Sequence, residues 1–266
     1  MKIDSVKLVY FSPTQTTEKV LKAIAKGIGA GKVQDVNLTG PDSGPPADEP
    51  GEPTLYIFGF PVYGGRLPAL AVKRFSKIKS SGMPAVIVVV YGNRAYDDSL
   101  LELRDLVSEN GFIPIAGGAF IGEHSFANEH APIAISRPDQ KDLEKAQGFG
   151  TAIANCLRNM NAPDERKALR VPGNFPYREY RAPSGISPYT DTDLCSQCET
   201  CVDVCPTGAI HLDGEIMTNA ERCIVCCACI KKCPGGARIR EAPRIKKVVQ
   251  WLSENFQQRK EPEIFC

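Results

Sequence analysis

The chain has 266 residues, 42% hydrophobic and 24% charged, enough for one domain of ordinary size and a smaller one, which excludes disordered and collagen-like classes. A formal net charge of +1 gives none of the one-signed field that nucleic-acid proteins spread over a face, so nucleic acid is not an expected partner. The longest apolar run, residues 84–90, falls far short of the ~20 residues a membrane helix needs, and no basic stretch leads into an apolar core at the start; the expectation is a cytoplasmic protein without a membrane span.

In chain order, short β-branched runs alternate with stretches of helical period, the pattern of a parallel sheet covered on both faces. Strands are predicted at residues 6–11, 33–38, 54–59, 85–91 and 112–120, and helices at 16–27, 68–80, 98–109 and 139–160. Together they make an α/β, doubly wound, five-stranded parallel domain. Gly27, Gly29 and Gly31 are expected to stop the first helix. Residues 40–53 hold five prolines and three glycines and read as a surface loop. A second Pro-rich stretch, 169–190, reads as a linker. The expected division is therefore 1–168, a linker at 169–190, a cysteine-rich domain at 191–240, and a terminal helix with tail at 241–266.

Eleven cysteines in a chain without a secretion signal point to metal or redox chemistry rather than a disulfide framework. Cys195, Cys198, Cys201 and Cys205 are followed by Pro206, and the same run returns 28 positions later as Cys223, Cys226, Cys229, Cys233 and Pro234. Three thiolates spaced three apart can wrap a loop over a four-iron cube, while in two-cluster ferredoxins the fourth cysteine ligates the other cluster. The expectation is two [4Fe-4S] clusters, one on Cys195, Cys198, Cys201 and Cys233, the other on Cys223, Cys226, Cys229 and Cys205. Structural zinc would not need the third cysteine of each run or the Cys-Pro ending. Cys227 has no counterpart in the first run and reads as a packed spare thiol rather than an exchanging ligand. Cys156 and Cys266 read as bystanders.

The first strand runs into Ser12-Pro13-Thr14-Gln15-Thr16-Thr17, where a helix begins. Hydroxyls and free amides at a helix N-terminus suit a phosphate monoester, although Thr14 or Thr16 as a mere helix cap accounts for the same residues. The Gly-Lys-Ser/Thr ending of a Walker loop and the Rossmann glycine fingerprint are absent. Two further loops end strands on the same sheet edge: Pro61-Val62-Tyr63-Gly64-Gly65-Arg66 and Tyr91-Gly92-Asn93-Arg94-Ala95-Tyr96-Asp97. Open α/β sheets bind ligands at that edge, and aromatics flanked by glycines suit a flat ring.

With these residues in view, residues 1 to about 160 resemble a flavodoxin, and the whole chain resembles the flavodoxin-ferredoxin fusion proteins of anaerobic bacteria and archaea. The resemblance implies FMN, with phosphate on a Ser/Thr-x-Thr-Gly-x-Thr loop matched by Ser12, Thr14 and Thr17; Gln15 stands where the family has glycine. It implies further that residues 61–66 and 91–97 flank the ring, with 122–126 closing over it. His124 reads as a solvated loop residue or as a proton donor to reduced flavin. Arg238, Arg240, Arg244, Lys246 and Lys247 read as a solvated helix face or as a steering patch for an acidic partner.

The expected function is electron transfer between two [4Fe-4S] clusters and FMN, as a low-potential carrier serving redox partner proteins. The alternative is a flavin-dependent reductase of a small acceptor, fed by its own ferredoxin domain. Cluster-based sensing is a third class that nothing in the sequence favours.

Overall fold

A computed structural model describes residues 3–41, 53–159, 168–179 and 185–266. Most of the expected Pro-rich loop (42–52), Met160 at the end of the fourth expected helix, and Pro183 in the second Pro-rich stretch lie outside the described residues.

The elements follow as β1 (Ser5–Tyr10), α1 (Thr16–Ile28), β2 (Lys32–Asn37), β3 (Thr54–Pro61), α2 (Ala69–Phe75), β4 (Pro84–Tyr91), α3 (Ser99–Glu109), β5 (Ile113–Ile121) and α4 (Gln140–Arg158). Beyond them come β6 (Tyr189–Thr190), α5 (Thr200–Asp203), β7 (Ile210–Asp213), β8 (Glu215–Thr218), α6 (Ala228–Lys232), β9 (Arg238–Ile239), α7 (Pro243–Asn255) and β10 (Glu263–Phe265).

Strands β1 to β5 pair in parallel in the order β2-β1-β3-β4-β5, the flavodoxin-like order of a doubly wound sheet. Strand alternation divides the core. Val6 and Leu8 of β1 and Leu55 and Ile57 of β3 face α1 and α4, while Val9, Tyr56 and Phe58 face α2 and α3. On the first face α1 and α4 cross closely because they carry glycines there: a Cβ on Gly27 would sit 1.9 Å from the Gln147 carbonyl oxygen, and one on Gly150 2.0 Å from that of Ile24. Gly27 is therefore a packing residue inside α1, not a stop; the stop is Gly29, left-handed at φ 72°, with its amide on Ala25 O.

A sixth strand completes the sheet. The C-terminal β10 pairs antiparallel with the outer edge of β5, Ile264 opposite Gly118. Residues 256–263 reach that edge across the strand-end loops. The Asn93 amide donates to Phe256 O and Gln258 O (2.7 and 2.9 Å), Arg137 donates to Lys260 O (2.8 Å), and Tyr96 donates to Glu263 (2.9 Å). Residues 168–179 likewise lie against α3: Leu169 joins the core, the Tyr177 hydroxyl meets Asp105 at 2.5 Å, and Asp98 accepts from the amides of Asn174 and Arg178.

The cysteine-rich segment is small and α+β. Strands β7 and β8 form a hairpin turning at Gly214, and β6 pairs with β9, which ties its two ends together. Among the described residues no helix is long and apolar enough to cross a membrane.

Candidate redox centre

The 28-residue repeat is a repeat of backbone conformation as well as of sequence. Gln197 and Glu199 are left-handed, at φ 54° and 57°; their counterparts Val225 and Cys227 stand at 53° and 62°, and Gly208 and Gly236 match at 58° and 66°. Non-glycine residues rarely enter this region and β-branched ones almost never do, so the surroundings must hold Val225 there. The left-handed residues let each loop curl between successive cysteines.

Around each curl the cysteines face a space rather than a point. One cavity is lined by Cys195, Cys198, Cys201 and Cys233, the other by Cys205, Cys223, Cys226 and Cys229, so the fourth cysteine of each run faces the cavity of the opposite run. Among the described residues no three Cys, His, Asp or Glu side chains converge as they would on a single ion. The two surroundings differ. Cys198 is exposed, and Thr200 beside its sulfur at 3.4 Å lowers its thiol below the ordinary range. Cys226 and Cys229 are buried and burial pushes their thiols up, Cys226 well above the usual range. The Arg238 charge works in the opposite direction on Cys201, Cys223 and Cys229. Thiols buried this way are costly to ionise alone, and the charge of bound iron offsets that cost.

Cys227 is 1% exposed and also borders the cavity of Cys205, Cys223, Cys226 and Cys229; burial pushes its thiol to about 11, and the Arg240 guanidinium donates to its sulfur at 3.0 Å. Arg240 also lies 4.3 Å over the Phe126 ring and donates to Phe126 O. Arg238 is buried. Neither arginine belongs to a solvated face, which is left to Arg244, Lys246 and Lys247.

At the other end of this chain of contacts lie the strand-end loops. Gln15 is left-handed at φ 64°, so a non-glycine residue here keeps the conformation that glycine favours, and its side-chain oxygen accepts from Lys232 of α6. The first amides of α1 have no intrahelical acceptor. Glu18, the third, is taken by Ser12 Oγ at 3.1 Å, which leaves those of Thr16 and Thr17. Thr17 Oγ1 is buried and has no partner among the described residues. Gly122 lets β5 approach this helix end, since a Cβ there would meet Thr16 Oγ1 at 3.1 Å. An orphaned hydroxyl and free amides at a helix N-terminus fit a phosphate.

Beside them, Thr14, Thr16, Pro61, Val62, Tyr63, Tyr91, Gly92 and His124 line one cleft. It adjoins a cavity of about 330 Å³ lined by Val62, Tyr63, Gly64, Arg94, His124, Ile224, Val225 and Trp251. Tyr63 to Arg66 form a tight turn with left-handed Gly64 and Gly65, and a Cβ on Gly65 would lie 2.1 Å from Asp97. The structure thus brings together the loop after β1, Pro61 to Gly64, Tyr91, Gly92 and Arg94. Asn93, Tyr96 and Asp97 lie beside them with side chains already committed: Asn93 and Tyr96 to the C-terminal tail, Asp97 to Arg94 and Arg178.

His124 is half-buried, at the wall of both cavities. Its ring presses on Gly92, where a Cβ would lie 2.3 Å away, and its Nδ1 accepts from the Phe126 amide at 3.0 Å. Burial, with Arg240, Lys231 and Arg94 nearby, holds its pKa down at about 4. It is a neutral imidazole with its proton on Nε2. Sequence reasoning passed over Lys232, Ile224 and Val225 and placed Arg240 on a surface patch, because their positions come from contacts between segments distant in the chain and leave no local pattern.

Residues 188–211 match the model of the 4Fe-4S binding domain, so this segment is a 4Fe-4S binding one. No curated protein matches the chain. Among solved structures the chain is similar to a flavodoxin from the domain Archaea, at 15% identity and TM-score 0.38, over 58% of this chain and 99% of that one. It is similar to the flavodoxin, WrbA-like protein from Agrobacterium tumefaciens, at 19% identity and TM-score 0.41, over 59% and 98%. It is also similar to the two-electron reduced Megasphaera elsdenii flavodoxin, at 22% identity and TM-score 0.37, over 56% and 98%.

Proposed function

We propose that the chain is an electron-transfer protein that holds two [4Fe-4S] clusters in its cysteine-lined cavities and FMN at the strand ends, and that it carries electrons between them for redox partner proteins in the cytoplasm. A single observation carries this: Ile224 and Val225 line both the cavity of Cys205, Cys223, Cys226 and Cys229 and the 330 Å³ cavity beside Tyr63 and His124. On this reading one layer of aliphatic side chains, Ile224 and Val225, would divide the inner metal site from the flavin site.

When bound, clusters take one electron at a time and a flavin takes one or two, which joins one-electron to two-electron chemistry. The side chains supply the rest. Thr14, Gln15, Thr16 and Thr17 would hold the phosphate, with Thr17 Oγ1 donating. Val62, Tyr63, Gly64, Tyr91 and Gly92 would border the ring, and the backbone approaches closely at Gly92. Lys231 on Glu123 (2.5 Å), Lys232 on Gln15, and Arg74 on Pro206 O (2.7 Å) fix the metal segment over the α/β domain. The exposed Cys198 puts the first cysteine set at the surface, where a partner protein can reach it, with the second set inside.

The test is anaerobic purification with iron, sulfide and flavin quantification, followed by a visible spectrum before and after dithionite. The expected result is four irons for each of two clusters and one FMN per chain, with both chromophores bleached. Full iron with no flavin, even after incubation with FMN, would sink the flavin assignment; half the iron would sink the second cluster.

A further inference from the structure

Arg238 is 3% exposed, and no carboxylate partners it among the described residues. Its guanidinium donates to three neutral oxygens, Thr190 Oγ1 at 2.5 Å, Thr218 Oγ1 at 2.6 Å and Pro188 O at 3.1 Å, while its Nε is buried without a partner. The side chain sits on the wall of the cavity formed by Cys195, Cys198, Cys201 and Cys233. Strand β9 carries it there by pairing with β6, which sets Arg238 opposite Thr190.

A buried cation needs a compensating charge, because neutral oxygens satisfy its hydrogen bonds but leave its charge in a medium that screens it poorly. A four-iron cluster on four thiolates is a net anion, and becomes more negative on reduction. We propose, resting on the two-cluster reading above, that Arg238 is the internal counter-ion of the metal centre, and that its charge favours the reduced state and raises the reduction potentials. Arg238 lines the cavity of Cys195, Cys198, Cys201 and Cys233, and its charge also acts on Cys223 and Cys229 of the other set. Arg238 is thus a tuning residue and not a ligand.

The experiment compares wild-type protein with Arg238→Gln and Arg238→Lys, each loaded anaerobically, counted for iron, and titrated potentiometrically by electron paramagnetic resonance. Arg238→Gln at full iron should move the midpoint of the affected cluster negative by at least tenfold in its one-electron equilibrium, about 59 mV. Arg238→Lys should restore most of it. Unchanged midpoints in fully loaded Arg238→Gln would overturn the proposal. If Arg238→Gln takes up no iron, loading of Arg238→Lys supports a requirement for charge, and failure of both overturns it in favour of guanidinium shape. Half the iron in the wild type would instead overturn the two-cluster reading beneath it, an outcome visible before any titration.

Discussion

Arg240 places one guanidinium nitrogen 3.0 Å from Cys227 Sγ while its plane lies 4.3 Å over Phe126, so one side chain joins the loop of the second cysteine run to the segment beside the strand-end cleft. Cys227 is a packing partner in this arrangement. Cys227→Ala should retain full iron and an unchanged visible spectrum, at a stability cost on the order of 1 kcal/mol for the lost sulfur contacts. Cys226→Ala, one residue away, should lose the cluster of its set and about half the iron. Iron and sulfide analysis distinguishes them, and equal losses would make Cys227 a ligand.

Thr17 Oγ1 carries an opposite pair of effects. With its hydroxyl buried and unpartnered, Thr17→Val should leave flavin-free protein as stable or more stable, by up to about 1–3 kcal/mol. The same change should weaken FMN binding by roughly tenfold or more, since a hydrogen bond to a charged phosphate is lost. Denaturation of flavin-stripped protein and calorimetric titration with FMN read the two separately. Unaltered FMN affinity would remove Thr17 from the phosphate site.

Gln15 carries backbone strain and contacts Lys232 of the cysteine-rich segment. Gln15→Ala loses the Lys232 contact and keeps the left-handed conformation, whereas Gln15→Gly loses the contact and relieves the strain. The glycine variant should therefore be more stable than the alanine variant by about 1 kcal/mol. Matched urea unfolding curves settle the order of the two.

His124 makes stability depend on acidity. Its folded pKa of about 4 lies below the ~6.5 of an unfolded histidine, so between these values the unfolded chain binds the extra proton. Stability is fully present above about pH 7 and falls as pH drops from ~6.5 toward 4. Anaerobic urea midpoints from pH 5 to 8 should show this slope in the wild type and a smaller one in His124→Gln. Identical slopes would refute the neutral, desolvated imidazole.

The tail acts as a clasp. Deleting residues 257–266 should expose the edge of β5, take from the Asn93 amide one of its two acceptors, Gln258 O, and take from the Tyr96 hydroxyl its acceptor Glu263. The expected result is a thermal midpoint lowered by several degrees and a tendency to self-associate through the bare edge, read by calorimetry and light scattering. A truncated chain as stable and as monodisperse as the full one would show the strand to be dispensable.

Much of this was legible in the residues. Strands β1, β3, β4 and β5 could be placed from apolar, β-branched runs bounded by turn signals, because a strand buried on both faces must be apolar along its length; β2, at the sheet edge, carries only Val33 and Val36 among polar residues. The three strand-end loops, including Tyr63 and Gly92, followed from those placements. The two cysteine runs could be read from their spacing, and the crossed grouping expected from two-cluster ferredoxins is also how the cysteines border the two cavities. What spacing cannot carry is contact between segments distant in the chain. Three residues, Glu263 to Phe265, are too few to show a period, and only the open edge of β5 makes them a strand. Desolvation of His124 beside Arg240 and Lys231, the seat of Arg240 over Phe126 and the wall of Ile224 and Val225 arise where the cysteine-rich segment meets the strand-end loops, and Arg238 is buried where β9 pairs with β6. Their energies depend on which groups exclude water from one another, a property of the assembled tertiary structure that no single segment encodes.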